Sequence, residues 1–398
     1  SWGTPVVFED TACDETPHVA FNSSANQIVI SFTEGGGASN NYGWCVVGTV
    51  SGTSATFGTP VVFSSVWTPR TNISYDPDED KMVVMSKQYP NGGKAAAGTV
   101  SGTGASATIS YGTFEQFTTS NNLDNIASYY DTSENKTVIV WNENTGNARV
   151  ASISGTTISF GAVDSFYGSS LFASDASFDT TANKGIITWV NSSNYGVGAT
   201  ATISGTTVTV AAETTFISAA IPNSERYSCN VYAGDAANIT TISYTLSADN
   251  YPYYLNGTVS GSSMSYNSPA RLYSDNATGW RKAVCATTGG KVVFVFNPGS
   301  TVGSLVDNYV YGVALQNVAD TTNLTASNFL GIADEAISAS ASGSIVVQGG
   351  TSAKLTSLTI GSNYYVQPDG TFATSAGSPS VKAGLAISAT SLLLSGDS

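Results

Sequence analysis

The sequence predicts an all-β chain: a six-bladed β-propeller of four-stranded blades, closed by its own N-terminal strand and followed by a small β-rich C-terminal domain. Three observations lead there. A short glycine motif recurs at intervals of about 50 residues. Between its copies lie short β-branched and aromatic runs separated by turn residues. The first residues of the chain duplicate a strand from inside the repeat.

The motif reads Gly48-Thr-Val-Ser-Gly-Thr53, and its copies begin at Gly98, Ala151, Ala201 and Gly257. A second motif precedes it. This one reads Tyr75-Asp-Pro-Asp-Glu-Asp-Lys81, Tyr130-Asp-Thr-Ser-Glu-Asn-Lys136 and Phe178-Asp-Thr-Thr-Ala-Asn-Lys184, with weaker copies at Phe21 and Tyr232. A sixth unit is implied by Thr287–Phe296.

Each unit parses as four strands. Strand a ends at the aromatic–Asp step, where Asp and Asn side chains can accept from nearby backbone amides and so favour a turn. Strand b is the Val/Ile/Trp run that follows. A longer, variable loop leads to strand c, which ends at Ser-Gly-Thr. Glycine suits the turn there because it takes positive φ at little steric cost. Strand d follows, as in Thr56–Phe63.

The sixth unit offers strand a near Val284, strand b at Val292–Phe296 and strand c at Tyr309–Leu315, but no evident strand d. The chain begins with Gly3-Thr-Pro-Val-Val-Phe8, nearly identical to Gly58-Thr-Pro-Val-Val-Phe63 in a strand d. The N-terminus is therefore expected to complete the last blade. Radial closure leaves only short, protected strand edges.

Composition excludes several classes. Charged residues are 11%, and the net charge is −14. Phosphate binding needs clustered Lys and Arg, and no such cluster exists, so no nucleic-acid partner is expected. No apolar run is long enough to span a membrane as a helix. No CxxC spacing occurs, and no metal or other cofactor is expected. The acidic run Asp76–Asp80 has no counterpart at Asp131 or Asp179 and reads as a solvated turn.

The repeat stops near Asn317. The expected division is a propeller over 1–318, a linker over 319–328 and a β-rich module over 329–398. In that module, Gly331-Ile-Ala, Gly361-Ser-Asn-Tyr-Tyr-Val-Gln, Asp369-Gly-Thr and Ser380-Val-Lys-Ala-Gly-Leu-Ala-Ile-Ser-Ala-Thr stand out. On these residues the module resembles a small β-domain near the C-termini of tail-fibre-like and other virion structural proteins of bacteriophages, marine phages in particular. The resemblance implies a virion surface location, other virion proteins as partners and no catalytic residues. At about 70 residues the module is small for a self-sufficient core, which favours contact with the propeller or with copies of itself in a homo-oligomer.

Propeller loops divide between two faces. Tight a–b and c–d turns occupy one, and long, divergent b–c and d–a loops occupy the other. The second face collects Trp67, Arg70, Arg226, Tyr251, Tyr253, Trp280 and Arg281. Trp, Tyr and Arg are enriched in binding hot spots, so these are the candidate residues for a host glycan or protein receptor. The competing reading is that they plug the channel mouth or pack loop against loop. Cys13 and Cys45 both fall near this face of one blade, where a disulfide is geometrically possible; the competing reading of the four cysteines is buried free thiols.

An enzyme is not expected. The single histidine, His18, precedes strand a, where a packing role fits better than a catalytic triad. The carboxylate pair of a glycosidase is not recognisable among the dispersed acids Asp175, Glu213 and Glu225. The functional expectation is a non-enzymatic virion structural protein, a tail fibre or surface component, that displays propeller loops for host attachment or inter-subunit contacts. The alternatives are a secreted bacterial adhesin or surface protein and, behind it, a glycan-active hydrolase.

Overall fold

The computed structural model describes residues 6–10, 12–13, 17–35, 41–221, 229–233, 239–248, 251–272, 281–287, 291–296, 311–316, 331–334, 343–367, 371–376 and 380–395. The chain divides into two compact units, residues 1–316 and 317–398. The expected linker at 319–328 lies outside the described residues.

The first unit is a succession of antiparallel meanders of one design. In sheet 1 strands a, b and c are His18–Asn22, Gln27–Gly35 and Gly43–Ser51, with an outer strand d in two pieces, Ser54–Phe57 and Val61–Ser64. Sheet 2 repeats this with Arg70–Asp76, Lys81–Lys87, Gly93–Ser101, and Thr108–Tyr111 plus Glu115–Thr118. Sheet 3 has Asn125–Asp131, Lys136–Asn142, Gly146–Ser154 and an unbroken Thr157–Tyr167. Sheet 4 runs from Phe172–Asp179 to Thr214–Ile217, and sheet 5 from Cys229–Ala233 to Ala270–Arg271. Sheet 6 shows three strands among the described residues: Arg281–Thr287, Lys291–Phe296 and Tyr311–Gln316.

The two sequence motifs are the two turns. Oδ1 of Asp76 accepts the amides of Asp78 and Glu79, and Oδ1 of Asp131 accepts those of Ser133 and Glu134. Oδ1 of Asp179 accepts Thr181 and Ala182 in the same way. Four residues beyond each, Asp80, Asn135 and Asn183 sit at φ 51 to 52°, a left-handed conformation that Asp and Asn tolerate better than other side-chain-bearing residues. The second glycine of the other motif takes φ 59 to 73° at Gly52, Gly102, Gly155, Gly205 and Gly261.

Strand d differs from expectation. It is not one run from Thr56 to Phe63 but breaks at Gly58, whose amide still bonds Val47 O at 2.9 Å. At this glycine and its counterparts the next sheet approaches closely. A Cβ at Gly58 would lie 1.8 Å from Ala107 O, at Gly112 1.9 Å from Thr156 O, and at Gly161 1.6 Å from Thr206 O. The c–d turn of each following sheet thus presses on the outer strand of the one before it.

The core lies between consecutive sheets. Cys45 and Val47 of sheet 1 pack with Ile73, Met82, Val84 and Ile109 of sheet 2. Val83, Met85 and Phe117 of sheet 2 pack with Ile139 and Trp141 of sheet 3. Equivalent clusters join sheets 3 and 4 around Trp189, and sheets 4 and 5 around Tyr244. A bulky ring from strand d then fits over a glycine that opens strand c. Phe63 covers Gly43, Phe117 covers Gly93, and Phe216 covers Gly196, leaving no room for a Cβ at any of the three glycines.

Gly3 to Pro5 of the expected closing strand lie outside the described residues, and Val6 to Phe8 are irregular. Phe8 packs on sheet 1, with ring centroids 5.5 Å from both Phe32 and Phe57.

In the second unit, Gly331–Ala333 pairs with Ile345–Val347, and five short strands form an antiparallel sheet. Its core holds Leu358, Tyr364, Val366, Val381, Ala383, Leu392 and Leu394. Turns at Gly349 and Gly361 take φ 86° and 82°.

Candidate binding face

The loops that follow strands b and d meet at the same end of the sheets, as the repeat requires. Between strand d of sheet 1 and strand a of sheet 2, Thr68 anchors the connection. Its amide bonds Asn41 O at 2.9 Å, its hydroxyl reaches Ser64 Oγ at 2.8 Å, and its carbonyl accepts Thr33 Oγ1 at 2.7 Å. This fixes the preceding residue, Trp67. The b–c loop of sheet 2 comes up beside it. Tyr89 N–H donates to Trp67 O at 2.9 Å, and Gln88 N–H to Gly92 O at 2.8 Å. Gly92 sits at φ 77° against Thr118 O and donates its amide to Asn121 Oδ1 at 3.1 Å.

The result is a shelf of two rings. Trp67 and Tyr89 lie 5.3 Å apart, inclined by 57°. Each remains 46% exposed although its backbone is tied down. Tyr89 was visible in the sequence only as part of a loop. Its role comes from the backbone pairing of two loops from different repeats.

A second aromatic group forms on sheet 5. Arg271 lies over the Tyr251 ring at 4.1 Å and the Tyr253 ring at 5.8 Å, and its Nε donates to Tyr253 Oη at 3.2 Å. Tyr253 in turn stacks on Tyr244 at 5.9 Å and 15°. Tyr251 and Tyr253 are half-buried, whereas Arg271 is exposed. Arg271 was not anticipated; it lies past the strand-d turn, in a segment without a repeat motif.

Arg70 occupies a different place from the one expected. It is 8% exposed. Its Nε donates to Asp124 O at 2.5 Å, Nη1 to Pro69 O at 2.6 Å, and Nη2 pairs with Asp124 Oδ1 at 3.0 Å. It ties strand a of sheet 2 to the loop entering sheet 3 rather than facing a ligand. Arg226 and Trp280 lie outside the described residues, as does the side chain of Arg281, which opens its strand.

The candidate Cys13–Cys45 bond is absent, and both are free thiols, as the competing reading has it. Cys13 pairs with Glu34 on one side of strand b, and Cys45 with Ser31 on the other. Two strand spacings, roughly 9–10 Å, separate them, which exceeds the Cα reach of about 7 Å for a disulfide. Burial pushes the Cys45 thiol up to about 12, partly offset by a hydrogen bond with Tyr111. His18 Nδ1 lies 2.9 Å from Asn72 Nδ2, and Asn72 Oδ1 accepts Ser128 Oγ at 2.8 Å. His18 thus joins strands a of sheets 1, 2 and 3. Among the described residues, no cluster of His, Cys, Asp and Glu has metal-holding geometry.

No known protein family matches the chain, and no curated protein does. Among solved structures it is similar to AofleA from Arthrobotrys oligospora, with 6% identity and a TM-score of 0.50 over 79% of this chain and 92% of that one. It is also similar to a mutant Aleuria aurantia lectin in complex with alpha-methyl-L-fucoside (11% identity, TM-score 0.46, 74% of this chain and 96% of that one). A third is Sqt1 from Chaetomium thermophilum (11% identity, TM-score 0.46, 73% and 69%). At such identities the likeness concerns the fold alone, that of an all-β chain of successive antiparallel sheets.

Proposed function

We propose that the chain is a non-enzymatic binding protein whose six sheets form a closed propeller and whose loop face recognises a saccharide on a host surface. The observation that carries the binding reading is the Trp67–Tyr89 shelf, two half-exposed rings held by backbone hydrogen bonds from two repeats. Rings fixed in advance lose little conformational entropy on binding. Their faces suit the C–H faces of a pyranose, and the neighbouring amides and hydroxyls suit its rim. Tyr251 and Tyr253, with Arg226, Trp280 and Arg281, extend the proposed face.

Closure is supported by the packing of Phe8. Three strand-d rings pack against a ring in the first part of strand d in the next sheet: Phe63 on Tyr111 at 6.1 Å, Phe117 on Phe160 at 6.3 Å, Phe216 on Tyr266 at 5.7 Å. Phe8 on Phe57 at 5.5 Å is the same contact, so Phe8 stands where the strand d of a sheet preceding sheet 1 would end. In a ring of six that sheet is the sixth.

The C-terminal resemblance supports a virion surface location, with other virion proteins as partners and a homo-oligomeric assembly. Glycan-array screening of the intact chain tests the binding reading. Binding that is lost in Trp67→Ala and Tyr89→Ala supports it. An array with no binder, or binding that both variants retain, refutes it.

A further inference from the structure

A pocket lies on the outer edge of the sheets, apart from the shelf. It is a cavity of about 380 Å³ between the outer strand of sheet 2 and the c–d turn of sheet 3. Tyr111, Thr113 and Glu115 line one side; Thr156, Thr157 and Ile158 line the other. It exists because Gly112 rests directly on Thr156 O, which brings two outer edges together and leaves a groove beside the contact.

The repeat shows what is unusual about it. Two residues before each strand-d ring, the successive units carry Val61, Glu115, Asp164 and Thr214. At sheet 3 the Asp164 carboxylate is already engaged, accepting Val210 N–H at 2.9 Å. At sheet 1 the position is apolar, and the Val61 carbonyl accepts Tyr111 Oη at 3.4 Å. Glu115 pairs with Ala95 through its backbone, but its side chain is exposed and makes no hydrogen bond or ion pair with any described residue. Of the two carboxylates, only Glu115 remains available to the groove.

We infer that this groove is a binding site for a neutral or amino-substituted pyranose. The lining carries a carboxylate and three threonine hydroxyls but no Lys or Arg, so an anion has no counter-charge. A carboxylate accepts from two adjacent hydroxyls of a vicinal diol, and threonine hydroxyls both donate and accept. Ile158, packed in the core between sheets 2 and 3, closes the groove from behind. The inference does not depend on the Trp67–Tyr89 shelf.

The test uses saturation-transfer NMR of the intact chain with the methyl pyranosides of glucose, galactose, mannose and fucose and with glucosamine, at millimolar concentration. At least one sugar is expected to receive transfer. Its affinity should fall about tenfold or more in Glu115→Gln, the range for a hydrogen bond to a charged group, and also fall in Thr113→Val. Both positions are exposed, so folding is expected to be retained. The fall caused by Glu115→Gln should persist when it is measured in a Trp67→Ala background, where the shelf is disabled, which separates the groove from the shelf. No transfer to any of these sugars, or affinity indifferent to Glu115→Gln, overturns the inference.

Discussion

The Phe8 ring lies 5.5 Å from the Phe57 ring, a contact of the kind that Phe63 makes with Tyr111 one sheet later at 6.1 Å. On the proposed closure, residues near the start of the chain stand in for the outer strand of a preceding sheet. Phe8→Ala should destabilise the chain by about 2 kcal/mol, the scale for truncating a half-buried large side chain. Val7, 76% exposed, serves as control, and Val7→Ala should be near neutral. Urea denaturation of the two variants checks this; equal midpoints would deny Phe8 a closing role.

The outer-strand glycines and the turn glycines should respond differently to alanine. At Gly161 an added Cβ would sit 1.6 Å from Thr206 O, so the backbone of one sheet must move. Gly155 has nothing within 4 Å but takes φ 60°. Gly161→Ala should cost at least the 1–3 kcal/mol typical of overpacking, and Gly155→Ala about 1 kcal/mol from the left-handed conformation alone. Gly155→Asn should recover part of that, whereas Gly161→Asn should not. Thermal melts of the four variants distinguish the two causes.

Cysteine reactivity and alkaline stability follow from burial. Iodoacetamide at pH 8 should label Cys13 in the native protein and Cys45 only after denaturation, without prior reduction. Recovery of a Cys13–Cys45 linked peptide would contradict the free thiols. Cys45 ionises near 12 when folded and near 9 when unfolded. Between those values the native state holds the proton that the unfolded state has lost, so stability falls as pH rises from 9 to 12. Cys45→Ala should flatten that slope while costing some packing, which a pH series of urea midpoints resolves.

Much of the fold was legible because its turns need particular residues. Asp76, Asp131 and Asp179 cap their turns, and Gly52 and its counterparts take positive φ; these chemistries leave marks in a single sequence. The Phe-Gly and Tyr-Gly steps at Gly58, Gly112 and Gly161 were equally regular. Their meaning was hidden because it depends on a carbonyl in the next sheet. The site was less legible. Trp67 could be placed on a loop, but its pairing with Tyr89 is set by backbone contacts between repeats. Arg70 looked like Trp67 in sequence, and only the position of Asp124 shows it to be committed to the scaffold.

That contrast between Trp67 and Arg70 offers the most direct test of the central claim, that rigid loops display exposed rings for a saccharide. The measurement is the affinity of each variant for the strongest glycan-array ligand, taken per folded molecule alongside its melting temperature. Trp67→Ala should lose at least tenfold in affinity with its melting temperature nearly unchanged. Arg70→Ala should lose stability by about 1–3 kcal/mol, because it leaves the Asp124 and Pro69 carbonyls without their donor, with little loss of affinity per folded molecule. The reverse pattern, stability lost at Trp67 and affinity lost at Arg70, would contradict the account.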